Sequence, residues 1–142
     1  MKPPVKPAIQ FNRPGPHKAA PNARYAVQAP VALSARSQQI RATLNGTRQV
    51  AGSVDIRSAG AGKGHIANLK VDQEHRRRGV AGQLIDAAVA TARRQGFKAL
   101  SLEARPSDNG ISSQALVAMY RRQGFQSVGR SQRGNPMMER KL

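Results

Sequence analysis

Six consecutive residues, Arg76-Arg77-Arg78-Gly79-Val80-Ala81, carry the densest chemical information in the chain. They stand between an apolar run, 65–71, and a segment, 80–95, with the periodicity of a helix. The first amides of a helix have no intrahelical acceptor, and the helix dipole favours an anion at that end. Gly79 removes a side chain where phosphate oxygens would approach the backbone, and Gly82 keeps the first turn open. With three guanidinium groups beside them, these features make a diphosphate site. The dipole contributes only ~0.3–1 kcal/mol at an exposed site, so amide hydrogen bonds and arginines must supply most of the binding. On its own, a short Arg/Gly run is a basic turn; its place between a strand and a helix gives it meaning. Four other side chains can handle protons. Tyr120, near the end of a second helical segment, has a hydroxyl that can both donate and accept. Glu103 lies at the end of a strand-like run, where a carboxylate serves equally as a base or as an ion-pair partner for arginine. His65 and His75 could relay protons, but with His17 they are too scattered for a metal site, and no metal is expected.

The elements that must position these groups follow from periodicity. Ile40, Ala42 and Leu44 alternate with Arg41 and Thr43, which predicts a half-buried strand. Asn45-Gly46 is a hairpin turn signal, and Val50, Val54 and Ile56 continue the alternation. Residues 58–64 read as a Gly-rich hairpin loop. They are not a phosphate-binding P-loop, because Lys63 is followed by Gly64 and Arg57 stands where the first glycine would be. A third strand is expected at 65–71 and a helix at 80–95, with Ala81, Leu84, Ile85, Ala88 and Ala92 on one face. Arg93 and Arg94 suit the helix's negative end, and Gly96 the position just beyond it. A strand at 97–104 and a loop at 105–112 come next. Ser112 or Ser113 caps a second helix at about 114–123, with Leu116, Met119 and Tyr120 along one side. Gly124 ends it, Phe125 opens a strand, and 137–142 forms the last one. The pentapeptide RRQGF occurs at 93–97 and 121–125, twice the same device of basic last turn, glycine and packing phenylalanine. Early hairpins followed by crossovers predict an α/β (α+β) fold: a mixed sheet with helices on both faces.

The 142 residues fit one globular domain. Without cysteine, the chain has no disulfide, no cysteine-based metal site and no catalytic thiol. No run approaches the ~20 apolar residues of a membrane helix, so membrane insertion is not expected. Residues 1–30 lack the apolar core of a secretory signal, which favours a cytoplasmic protein, with export as an effector the alternative. The balance of 24 Lys+Arg to 7 Asp+Glu, a net charge of +17, points to a polyanionic ligand or partner: a nucleotide cofactor, RNA, or an acidic protein face. Aromatic residues make up only 4%, a poor supply of base-stacking platforms. Seven of the nine prolines and six basic residues, with no acidic one, fall in 1–37. That composition favours an extended or disordered arm, with Tyr25 to Gln28 or Val31 to Leu33 able to add an edge strand. The globular domain is expected over 38–142.

Residues 65–125 resemble the acetyl-CoA-binding core of the GNAT superfamily of N-acetyltransferases. Arg76, Gly79 and Ala81 match the family's R/Q-x-x-G-x-G/A pattern between central strand and cofactor helix. Leu100-Ser101-Leu102-Glu103-Ala104 matches its L-x-L-E-V strand, and Ala115 through Phe125 its A-x-x-x-Y-x-x-x-G-F helix end. The resemblance implies a mostly antiparallel sheet splayed at its centre, between strands 65–71 and 99–104. Acetyl-CoA would sit in that gap as cosubstrate, held by Leu69, Lys70 and Val71 along the strand and by Arg76, Arg77, Arg78, Gly79, Val80, Ala81 and Gly82 at the helix. A primary amine, most naturally of a protein or peptide, would attack the thioester directly, with Tyr120 as general acid and Glu103 as base, directly or through water.

Two departures from the family pattern stand out. Ser113 occupies the position, seven before the tyrosine, where many relatives place a cofactor-binding asparagine, and Asn109 is nearby to compensate. The N-terminal part is also reduced: where the family has a strand and two helices, this chain has its Pro-rich arm. The acceptor cleft would then be open, or completed by the arm or a second subunit, in a monomer or homodimer. Two other readings fit the same residues. One is a basic GNAT-like module that binds RNA or an acidic partner without turnover; the other is an exported effector or toxin acetyltransferase.

Overall fold

A computed structural model describes residues 24–106 and 112–142. The N-terminal 23 residues of the Pro-rich arm, and Asn109, lie outside the described residues. Eight strands and two helices follow one another as β1 (Tyr25–Val27), β2 (Val31–Ala32), β3 (Ser37–Leu44), β4 (Val50–Gly60), β5 (Lys63–Val71), α1 (Val80–Arg94), β6 (Ala99–Glu103), α2 (Ser113–Arg122), β7 (Gln126–Arg130) and β8 (Pro136–Lys141). They form one sheet in the order β1-β3-β4-β5-β6-β8-β7, with β2 also on β3. All the pairings are antiparallel except β5 with β6. The mixed, mostly antiparallel class expected from the sequence is what the chain adopts.

Several elements differ from expectation at their ends. The Gly-rich stretch 58–64 is mostly strand: β4 and β5 run on to a tight turn at Ala61-Gly62, where both residues take positive φ. Glycine there supplies the left-handed turn and not a flexible connection. Both candidate segments of the arm, not one, pair with β3: Tyr25 to Val27 along its end and Val31 to Ala32 along its start.

The placement of the helices also differs from expectation, for a reason that register makes plain. Ile40 pairs with Val54, Ile56 with Ile66, Ile66 with Leu102, and Leu102 with Met138, so one face of the sheet is apolar across five strands. All of these side chains are buried. α1 lies on this face, because a Cβ at Gly52 would come within 3.2 Å of both Leu84 and Val80. The C-terminal end of α2 lies on it too: Arg140, on the Met138 side of β8, donates to the Gln123 carbonyl at 2.7 Å. The opposite face carries Gln39, Asp55, Arg57, His65, Ser101, Glu103 and Glu139. Among the described residues no helix covers it. A polar face gives a helix no apolar area to bury, and burial is what holds a helix to a sheet.

The sheet is split at its centre. Parallel pairing of β5 with β6 stops at Ile66 and Leu102, while β5 continues to Val71. Within that continuation Asn68 takes φ 54°, and the register against β4 gains one residue on β5 between Ala67 and Lys70. This is a bulge, which kinks the strand and increases its twist away from β6.

Candidate active site

Two cavities lie at the gap between β5 and β6, with Leu69, Arg105 and Tyr120 in the lining of both. The first, about 450 Å³, opens on the helix-covered face between the start of α1 and the end of α2. Leu69, Val71, Arg76, Arg77, Gly79, Val80, Ala81 and Gly82 line it, joined by His75, Arg105, Leu116, Met119, Tyr120, Arg122 and Gln123. The chain reaches α1 through a 3-10 turn, Gln73–His75, and then positive φ at Arg77 (62°) and Gly79 (80°). No side chain caps the N-terminus of α1, so the helix presents its first amides without a capping partner. A Cβ at Gly79 would meet nothing within 4 Å. The backbone there faces open space.

Three of the expected cofactor residues do not line this cavity. Lys70 belongs to the second cavity, because alternation along β5 turns it to the polar face opposite Val71. Arg78 lies beside Tyr25: burial pushes that hydroxyl up, and the Arg78 charge opposes the effect without overcoming it. Ser113 is in the first turn of α2 and lines a separate depression with Val117, Arg121 and Arg130, while Ser112 is the cap, accepting from the Ala115 amide at 3.1 Å. The carbonyl of Val71 is already engaged by Arg76 Nε at 3.0 Å. In an extended strand a residue's N–H and C=O point to the same side. The Asp72 N–H donates to the Ala51 carbonyl on β4 at 2.8 Å, so the Val71 N–H, one residue earlier, points to the gap.

Sequence reasoning gave His75 at most a proton-relay role, and the structure gives it a different one. It is buried, with Nδ1 2.9 Å from the Tyr25 hydroxyl and Nε2 3.2 Å from Gln49 Nε2. Its ring meets Tyr25 edge to face. These bonds tie β1 to the turn that precedes α1. Arg105 and Arg122 are two further cations on the first cavity that sequence reasoning did not select. Arg122 had a local explanation in the basic last turn of α2, which hid it.

The second cavity, about 480 Å³, opens on the polar face. It shares Leu69, Arg105 and Tyr120 with the first and adds Arg57, His65, Asn68, Lys70, Glu103 and Arg133. Tyr120 is thus common to both. Its ring packs at 6.2 Å against Phe125, and burial pushes its hydroxyl up to about 12. Glu103 accepts from Ser131 Oγ at 2.6 Å and Asn135 Nδ2 at 2.9 Å, and Arg133 lies 3.7 Å from its other oxygen. The two hydrogen bonds, with help from Arg133 and Arg105, hold this carboxyl below its ordinary range against the opposing effect of burial. His65 Nδ1 is 2.9 Å from Ser101 Oγ. Burial first, and then the Arg57 charge, push the imidazole down, with Glu103 opposing, so it is neutral at pH 7.

The sequence model of the acetyltransferase (GNAT) family matches residues 10–125. No curated protein matches the chain in sequence. Among solved structures, the PaiA N-acetyltransferase of Thermoplasma acidophilum in complex with coenzyme A superposes with a TM-score of 0.62 at 16% identity, over 75% of this chain and 62% of that one. A GNAT family acetyltransferase of Elizabethkingia anophelis with acetyl-CoA bound gives 0.63 at 18%, over 75% and 77%. The ribosomal-protein-S18-alanine N-acetyltransferase of Escherichia coli gives 0.61 at 20%, over 77% and 71%. At such identities the likeness is one of fold, and the chain spans less than two thirds of the length of the Thermoplasma protein.

Proposed function

The chain belongs to the GNAT family of acetyltransferases, and from that premise we propose that it transfers the acetyl group of acetyl-CoA to a primary amine of a protein or peptide, with the Tyr120 hydroxyl as hydrogen-bond donor to the departing sulfur. The observation that carries this reading is that one buried tyrosine borders both cavities, at the split of the sheet. Acetyl-CoA supplies an activated acyl carbon and a thiolate leaving group. Its diphosphate suits the uncapped start of α1, where Arg76, Arg77, Arg105 and Arg122 add charge on the same cavity. Its pantetheine arm suits the gap edge of β5, beside the Val71 N–H.

The amine enters from the polar face and must arrive uncharged, since a lysine of pKa ~10.4 or an α-amine of ~7.7–8.0 is mostly protonated at neutral pH. A nitrogen–carbon bond forms and the carbon–sulfur bond breaks. The nitrogen gives up one proton, and the sulfur finally gains one. Glu103 receives the amine's proton through water. A carboxylate held this low does not keep a proton, so the neutral His65 on the same cavity passes it onward. Tyr120 keeps its own proton throughout the neutral range. Because its hydroxyl sits well above the ~8.5 of a thiol, donation of a hydrogen bond to the sulfur is what stabilises the transition state, not completed ionisation.

Incubation with acetyl-CoA and a mixed library of peptides, with thiol release followed continuously and products by mass, tests the reading. Thiol release matched by acetylated peptide supports it. Binding of acetyl-CoA without transfer to any amine contradicts it and leaves a GNAT-fold binding module.

A further inference from the structure

We propose that the cavity on the polar face selects an amine set among carboxylates, as in an acidic segment of a peptide or protein. The inference rests on the acetyl-transfer reading and adds the acceptor's chemistry to it. Four cations line the cavity, Arg57, Lys70, Arg105 and Arg133, against the single carboxylate of Glu103. That carboxylate is already held by Ser131, Asn135 and Arg133.

A chain of this charge has basic residues everywhere, so the decisive point is how the acids of this face are used. Asp55 is buried and takes one amide on each oxygen, from Gln39 at 3.0 Å and Asn68 at 2.9 Å. Glu139 pairs with Lys63 at 3.7 Å, outside the cavity. Arg57, Lys70 and Arg105 form no ion pair among the described residues. Three exposed cations therefore face one cavity without a carboxylate in ion-pair contact, and the one carboxylate near Arg105, that of Glu103, is shared with Arg133. A ligand that brings negative charge relieves their mutual repulsion.

The same field acts on the reacting group. Cations around an ammonium favour its loss of a proton, so the cleft that attracts carboxylates also favours the free-base amine that the reaction needs. An acceptor with cationic neighbours is repelled by the same charges. Arg57, Lys70, Arg105 and Arg133 in its lining are all exposed to solvent, which suits a chain segment passing across it, with carboxylates on either side of the amine.

The test uses two series of short peptides, one with a single internal lysine and one with a free α-amine. In each the residues flanking the amine are Glu, Gln or Arg, and free glutamate is assayed beside them. The expected result is kcat/KM about tenfold or more higher for the Glu peptides than for the Gln peptides at low salt, with Arg peptides lowest. The Glu-to-Gln ratio should shrink towards unity as salt rises to ~0.5 M and the Debye length contracts. In a variant carrying Arg57→Glu and Lys70→Glu the order should invert, with acetyl-CoA affinity, measured by calorimetry, unchanged. Arg57→Gln alone, at an exposed position, should lower the preference without inverting it, and serves if the double variant fails to fold. Equal kcat/KM on Glu and Gln peptides overturns the proposal while leaving acetyl transfer standing. A preference for free glutamate over every peptide overturns the peptide assignment. Bound acetyl-CoA with no transfer to any acceptor removes the underlying reading, and this one with it.

Discussion

The cavity on the helix-covered face is shaped chiefly by backbone: the uncapped start of α1, the left-handed residues Arg77 and Gly79, and the bulged edge of β5. The cavity on the polar face is shaped by side chains that arrive from β4, β5, β6 and the turn before β8. The difference teaches how one site can serve two ligands of unequal variability. A diphosphate is the same in every reaction cycle, and fixed amides recognise it without side-chain entropy to lose. An acceptor is recognised by charge and shape, and exchangeable side chains on a regular sheet face can supply both without disturbing the core behind them. Tyr120 stands where the two meet.

Substitutions that separate the two cavities test this contrast. Tyr120→Phe should have the largest effect, because Tyr120 borders both cavities: kcat should fall ~10²–10⁴-fold, with acetyl-CoA affinity and thermal stability nearly unchanged. Unchanged kcat would remove Tyr120 from the chemistry. Gly79→Val should act on the first cavity only. A residue with a side chain at φ 80° costs ~1–2 kcal/mol, and the added group projects into the space over the amides. Acetyl-CoA affinity should fall about tenfold or more, with KM for the amine unaffected; equal losses for both ligands would show that the cavities are not separately built. The smallest effect is electrostatic and belongs to the second cavity. The His65 pKa lies below 6.5 in the folded chain, so as pH falls below 6.5 the unfolded chain takes up this proton first and folding stability declines. By NMR, Arg57→Gln should raise the His65 midpoint and Glu103→Gln should lower it; no movement in either variant would place these charges too far away to matter.

The same contrast explains what could be read from the sequence. Arg76 to Gly82 is a continuous local device, a turn feeding a helix, and its residues remain neighbours however the chain folds. Leu100 to Ala104 and Ala115 to Phe125 are likewise local, so the crossover β5-α1-β6 and the tyrosine helix were legible. Arg57, His65 and Glu103 are far apart in sequence, and only the register Arg57 to His65 to Ser101 brings them to one face. The covering of a single face was within reach: Gln39, Arg41, Ser53, Asp55 and Arg57 alternate with the apolar residues of β3 and β4, which is the pattern of a sheet packed on one side. The expectation of helices on both faces gave more weight to the crossovers than to that alternation. The His75–Tyr25–Gln49 contact had no local signal, since its partners are 50 and 26 residues away from the histidine.

The central claim is that the first amides of α1 hold a diphosphate, and amide chemical shifts report on it residue by residue. Coenzyme A and pantetheine, which lacks the diphosphate, should be titrated separately into isotope-labelled protein. Shifts at the amides of Gly79, Val80, Ala81 and Gly82 with coenzyme A, absent with pantetheine, are the predicted result. Saturable binding of coenzyme A that leaves those four amides unmoved would contradict the account.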